Sequence, residues 1–221
     1  MTTQRVYLFT RFERFWHWSQ AALIITMLFT GFEIHGYLGG FNFQHALLIH
    51  EYAAWLLMTL WTFAVFWHFT TGAWKNYIPD LRPKSLWAVA RYYAYGMFVG
   101  EHHPYHKVPF RKHNPLQRLA YLWLKLMINP LIWASGLLLL FFSYDWIRLS
   151  PLGLQLDWVA LTHTAAAYMM LLFFILHVYL ATTAHPPTAY IKAMITGWED
   201  EEEPAAPVPS SSAVQPEPHH G

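Results

Sequence analysis

Cysteine is absent from the 221 residues. That excludes disulfides, thiolate zinc sites, cysteine-held iron–sulfur clusters and the C-x-x-C-H attachment of c-type haem. Charge is scarce as well: Asp, Glu, Lys and Arg make up 12% of the chain, where a water-soluble domain spends about a quarter of its residues on them. With 55% of residues hydrophobic and 19% aromatic, a water-soluble globule is a poor description of this composition. The formal net charge of +1 supplies no whole-chain basic field and argues against nucleic-acid binding. No internal repeat is evident.

What the chain has instead is long apolar runs. A hydrocarbon layer of roughly 30 Å asks for about 20 mostly apolar helical residues, and four stretches meet that length, at residues 16–37, 46–70, 116–144 and 156–183. Gly36, Gly39 and Gly40 end the first, Asn114-Pro115 precede the third, and His185-Pro186-Pro187 follow the fourth, so turn chemistry agrees with hydropathy. The first run is too long for a signal-peptide core and reads as a retained span. The expected fold class is therefore all-α, an integral membrane four-helix bundle occupying residues 1–198. Residues 199–221 open with an acidic run and continue rich in Pro, Ala and Ser, the composition of a disordered tail. Between spans two and three, residues 85–99 mix Trp87, Tyr92, Tyr93, Tyr95 and Phe98 with Arg91. That pattern suits a helix lying in the headgroup region, with an irregular loop as the alternative.

Orientation follows from Lys and Arg, which accumulate in cytoplasmic loops. Arg5, Arg11 and Arg14 precede span one; Lys75, Arg82, Lys84, Arg91, Lys107, Arg111 and Lys112 fall between spans two and three; Lys192 follows span four. The opposite loops, residues 38–45 and 145–155, offer Arg148 alone. Both termini are expected in the cytoplasm, with the chain multi-pass in a bacterial cytoplasmic membrane.

Six histidines lie in or at the ends of these spans: His17, His35, His50, His68, His163 and His177. An ionisable side chain inside a bilayer is costly and marks function by default. His163 and His177 are 14 residues apart, which on a helix means roughly 21 Å of rise and about 40° of residual rotation. They share a face at two depths. Haem iron bound by two imidazoles needs one from each side of the macrocycle, so each must meet a histidine of another helix at its own depth. Span two enters from outside, which brings His50 to the level of His163. Span one starts inside, which brings His17 to the level of His177. The expectation is two b haems, an outer one held by His50 and His163 and an inner one by His17 and His177, with haem iron the metal in both. The blander reading, interhelical hydrogen bonding, accounts poorly for four histidines at two matched depths. His68 and His35 overshoot these levels by about a turn: His68 reads as a snorkelling or structural histidine or a contact of a haem propionate, and His35 as an interfacial histidine.

These residues resemble the gamma, cytochrome b subunits of membrane formate dehydrogenases, nickel–iron hydrogenases and thiosulfate reductases. The likeness is carried by Arg11-Phe-Glu-Arg-Phe-Trp-His17-Trp-Ser19, His50, Asn114-Pro-Leu-Gln117, His163-Thr-Ala-Ala-Ala and His177-Val-Tyr-Leu-Ala181. The closing Ile191-Lys-Ala-Met-Ile-Thr-Gly197 looks most like the thiosulfate-reductase-type branch. The resemblance implies four core helices, two stacked b haems with the same ligand pairs, and a quinone site near the inner haem at Asn114 and Gln117. Asn114 before Pro115 is equally well placed to cap a helix. His68, His113 and Lys125 complete the quinone-site candidates, with menaquinone or ubiquinone as substrate. Such a chain carries electrons as one subunit of a quinone-linked oxidoreductase. Its outer loops hold no redox-capable sequence, so an iron–sulfur or multihaem partner would dock there and connect to a catalytic subunit such as a molybdoenzyme or hydrogenase. The rival readings are a stand-alone quinol oxidoreductase or ferric-reductase-like cytochrome b, and a haem-free anchor or transporter.

Overall fold

A computed structural model describes residues 3–40, 42–78, 82–101, 114–183 and 186–202. His113, the basic residues Lys107, Arg111 and Lys112, and residues 203–221 lie outside the described residues. The chain opens with strand β1 (Thr3–Tyr7) and continues through α1 (Arg11–Ile34), α2 (Phe43–Thr71), α3 (Pro83–Ala94), α4 (Pro115–Trp123), α5 (Asn129–Ser143), α6 (Leu156–Ala181), α7 (Ala189–Thr196) and strand β2 (Trp198–Glu202).

Local chemistry sets each start. Thr10 caps α1 in a reciprocal box: Glu13 N–H donates to Thr10 Oγ1 at 3.3 Å, and Thr10 N–H to the Glu13 carboxylate at 2.8 Å. This box draws the helix back to Arg11, ahead of the expected apolar start, because it satisfies first-turn amides that the apolar run alone leaves open. At the other end Gly36 takes φ 75°, a left-handed turn that suits glycine. Asn42 caps α2 by accepting from His45 N–H at 2.9 Å.

The third long helix, Pro115–Ser143, is continuous but not regular. Residues Leu124–Ile128 form a π-helical turn, with Asn129 N–H donating to Leu124 O. Pro130 lacks an N–H and would press on the carbonyl of Leu126 in a straight α-helix; widening the preceding turn relieves that clash.

Among the described residues, three helices are long and apolar enough to cross a membrane: Phe43–Thr71, Pro115–Ser143 and Leu156–Ala181. α1 has the length, at 24 residues, but Glu13, Arg14, His17, Gln20 and Glu33 dilute its apolarity. The long helices carry exposed apolar side chains outward, among them Phe63, Phe66, Leu126, Leu161 and Leu172, as lipid-facing surfaces do.

α1 packs along α2, and α5 along α6, as two antiparallel hairpins. Phe12 meets Trp67 at 4.5 Å near one end of the first hairpin, and Thr30 meets His50 near the other. Contacts join the hairpins along their length: Trp61 of α2 meets Trp133 of α5 with ring centroids 4.8 Å apart, and Phe32 of α1 meets Tyr168 of α6 at 6.4 Å. At one end Tyr144 O–H donates to Glu51 at 3.0 Å. At the other, β1 and β2 pair antiparallel with Arg5 opposite Asp200. The Gly197 carbonyl accepts from Leu8 and Phe9 N–H at 2.8 and 3.2 Å, Arg14 donates to Ile195 O at 2.6 Å, and Trp18 donates to Met194 O at 3.1 Å. Strand β2 runs through Glu202, into the segment whose composition reads as a disordered tail. The acidic residues there find a partner strand rather than a core. The segment at 85–99 is helical over Pro83–Ala94 and closes in a 3-10 turn at Gly96–Val99.

Candidate functional site

Between the two hairpins runs a cavity of about 1320 Å³, lined by His17, His35, His50, His163 and His177 and otherwise largely by apolar side chains. Its volume exceeds the roughly 300–1,000 Å³ of an ordinary small-molecule pocket. Across it the imidazoles face each other in two pairs. The ring centroids of His50 and His163 lie 6.3 Å apart, and those of His17 and His177 lie 6.1 Å apart. The structure thus brings together the residues that depth along the helices had paired.

The outer pair is tied to its own hairpins. His50 Nδ1 is 2.9 Å from Thr30 Oγ1, whose hydroxyl donates to Thr26 O at 2.9 Å; Nδ1–H of His50 is therefore the donor to Thr30. His163 Nδ1 lies 3.1 Å from both Ser135 Oγ and Ile132 O, and Ser135 in turn donates to Leu131 O at 2.5 Å. A carbonyl only accepts, so His163 also carries its proton on Nδ1. In both rings Nε2 is left with its lone pair, the state a metal-ligating imidazole needs. Gly31 and Gly136 make room for these rings: a Cβ on Gly136 would lie 3.0 Å from His163 Cε1, and one on Gly31 would lie 3.8 Å from His50 Cε1.

The inner pair is supported differently. His17 Nδ1 is buried with no hydrogen-bond partner among the described residues, as are Trp16 Nε1 and Gln20 Oε1 on the same stretch of α1. His177 stacks on Phe173, their planes 10° apart. What holds this end is the junction of β1, β2 and α7 with the start of α1.

The remaining candidates separate. Asn114 is buried and closes a capping box on α4: its Oδ1 accepts from Gln117 N–H at 2.8 Å, while Asn114 N–H donates to Gln117 Oε1 at 3.0 Å. Asn114 Nδ2 donates to Tyr93 Oη at 3.2 Å. Gln117 and Tyr93 line the cavity, whereas Asn114 is not among its lining residues. Burial raises the Tyr93 phenol above its ordinary value, against a smaller opposing effect from the Asn114 amide. Lys125 sits in the π-helical turn and lines the cavity. His68 is buried, its Nδ1–H donating to Ala64 O at 2.6 Å, and it meets the Trp16 ring edge-on at 5.2 Å. It is not among the cavity-lining residues, and it is buried against α1. His35 caps α1 and is exposed, and it also lines the cavity. Thr30, Ser135, Gly31 and Gly136 did not stand out in the sequence, and Tyr93 did so only within the aromatic segment 85–99, not as a site residue. The available signal was a hydroxyl–glycine pair, Thr30-Gly31 and Ser135-Gly136, in the first helix of each hairpin at the level of the second helix's histidine.

These residues fit a haem. Two imidazoles on one iron should have ring centroids roughly 6 Å apart, from two metal–nitrogen bonds of about 2 Å and about 1 Å inside each ring. Both pairs match. Among the described residues no group of three or more His, Cys, Asp or Glu side chains is placed to hold a metal ion; a porphyrin would supply the remaining donors to an iron held by either pair. The buried polar atoms of Trp16, His17 and Gln20 on the cavity wall are what a bound polar group would satisfy.

Residues 8–197 match the family described as prokaryotic cytochrome b561. The chain is 29% identical over 204 residues to the Escherichia coli (strain K12) protein named "Putative cytochrome YdhU", an alignment spanning 88% of this chain and 75% of that protein. No solved structure gives a significant match. The chain belongs to the prokaryotic cytochrome b561 family, membrane proteins that bind haem b and transfer electrons.

Proposed function

We propose that the chain is the membrane subunit of a quinone-linked oxidoreductase, carrying electrons between an outer-face redox partner and a quinone near the cytoplasmic face through two b haems. The observation that carries this reading is the pair of facing imidazole sets, 6.3 and 6.1 Å across, at the two levels of one apolar cavity. Haem b, when bound, supplies a one-electron carrier whose potential the protein adjusts through ligands, hydrogen bonds and burial. His50 and His163 would hold one haem, His17 and His177 the other, and the apolar walls keep water from both.

All four long helices cross the bilayer on this reading. Three are apolar enough by themselves, and an odd number of crossings would leave β1 and β2 on opposite faces. Their pairing supports a crossing by α1 as well. The basic residues on that side favour the cytoplasm for both termini.

At the inner end a quinone needs hydrogen-bond and proton partners. Gln117 and Tyr93 line the cavity there; Tyr93 stays protonated through the neutral range and so holds a proton at Oη. Asn114 positions both residues through the α4 cap and its bond to Tyr93. Lys125 is the cationic side chain on the same cavity, and His113 is a further candidate outside the described residues. At the outer end the short loops favour docking by an iron–sulfur or multihaem protein that connects to a catalytic subunit. The segment 191–197 favours the thiosulfate-reductase-type branch.

A pyridine haemochrome assay on the purified chain tests the reading. Two b haems per chain are expected, and absence of a b-type signal would overturn it.

A further inference from the structure

The two hairpins repeat one device. In each, the first helix carries a hydroxyl residue followed by glycine, Thr30-Gly31 on α1 and Ser135-Gly136 on α5. The hydroxyl meets Nδ1 of the histidine on the second helix, at 2.9 Å for His50 and 3.1 Å for His163. The glycine lies against Cε1 of the same ring, leaving 3.8 Å and 3.0 Å to a notional Cβ. Chain direction is the same in both hairpins, so the rings approach each other across the cavity as near-symmetric equivalents.

We propose that Thr30-Gly31 and Ser135-Gly136 are positioning pairs that fix the tautomer and orientation of the outer imidazoles and make the outer haem the lower-potential of the two. This rests on the di-haem reading above. Each hydroxyl has already given its hydrogen to a backbone carbonyl one turn back, at 2.9 Å for Thr30 and 2.5 Å for Ser135. Its oxygen is therefore left as an acceptor. A ligating imidazole that donates from Nδ1 becomes more basic at Nε2 and more electron-giving toward its metal. That favours the ferric state and lowers the potential. Both outer ligands are in this state. At the inner level His17 Nδ1 has no such acceptor among the described residues, so the same lowering does not operate on that ring. The device is side-chain chemistry at the outer level only, and it makes transfer from the outer site to the inner site the downhill direction.

Potentiometric measurement of the b-type absorbance on purified, haem-loaded protein tests this, comparing wild type with Thr30→Val, Thr30→Ser and Ser135→Ala. The wild type should resolve into two components. Thr30→Val should raise the lower component and leave the higher one in place. Thr30→Ser, which keeps the oxygen, should reproduce wild type. Ser135→Ala should raise the lower component less, because Ile132 O still accepts from His163. Should Thr30→Val lose the outer haem, retention of haem and potential by Thr30→Ser with loss in Thr30→Ala upholds the hydroxyl's role, and loss in both overturns it. Unchanged potentials in Thr30→Val with both haems present overturn the inference while leaving the di-haem reading intact. A wild type with no b haem overturns both.

Discussion

At the outer level His50 and His163 each donate a hydrogen bond from Nδ1 to a neighbouring helix of their own hairpin, while at the inner level His17 Nδ1 is buried without a partner among the described residues. The spacing of the two pairs is nearly the same, 6.3 and 6.1 Å. Their support differs in kind. The outer rings are aimed by side chains within each hairpin; the inner site depends on contacts between distant parts of the chain, where the N-terminal strand and the last helix meet the start of α1. Equal geometry can thus rest on local hydrogen bonds in one place and on closure of the chain's ends in another, and the two should fail differently.

The largest expected effect is at Gly136. Gly136→Val puts a branched side chain where a Cβ alone would be 3.0 Å from His163 Cε1, with helix backbone on the other side. Haem content should fall from two per chain to about one, since overpacking at a fixed ring has no cheap relief. Gly31→Ala, with 3.8 Å available, should keep both. At the other end, Gly197 has φ 90° and its Cβ would lie 2.7 Å from Phe9 O. Gly197→Ala should cost about 1–3 kcal/mol, seen as a lower unfolding temperature in detergent, with the inner haem released before the outer one. Simultaneous release would remove the distinction drawn between the two sites. A smaller loss, about 1 kcal/mol, is expected for Thr10→Ala, which opens the cap of α1 just before His17 and should again weaken inner-haem retention first. Smallest is the pH response of Tyr93. Its phenol is raised above its ordinary value by burial, so the protonated form is favoured by folding; that stability is intact below about pH 10 and is lost as pH rises further. Tyr93→Phe should flatten this alkaline loss relative to wild type in pH-dependent melting.

Much of this architecture was legible in the sequence because hydropathy and helical rise are one-dimensional quantities. Fourteen residues between His163 and His177 fix a depth interval wherever the helix goes, and the levels of His17 and His50 follow from chain direction. Features that depend on what one helix presents to another were not legible. Thr30 and Ser135 look like ordinary tolerated hydroxyls in apolar spans until the neighbouring ring is placed beside them. The spacing of His68 left a snorkelling, a structural and a propionate-contacting histidine open, because rise alone does not say that Trp16 would cover it. The acidic run after Trp198 reads as a solvated tail in composition, and its pairing with Thr3–Tyr7 is a contact between the two ends of the chain that no local pattern announces. α1 fell short on apolarity because the residues that serve the site, His17 and Gln20 among them, are polar.

Electron paramagnetic resonance of the oxidised, purified protein tests the central claim most directly. Two low-spin ferric signals of bis-imidazole type are predicted, with His163→Ala removing one and His177→Ala the other. A single signal in wild type, or loss of both signals from either substitution, would contradict two independently held haems at two levels.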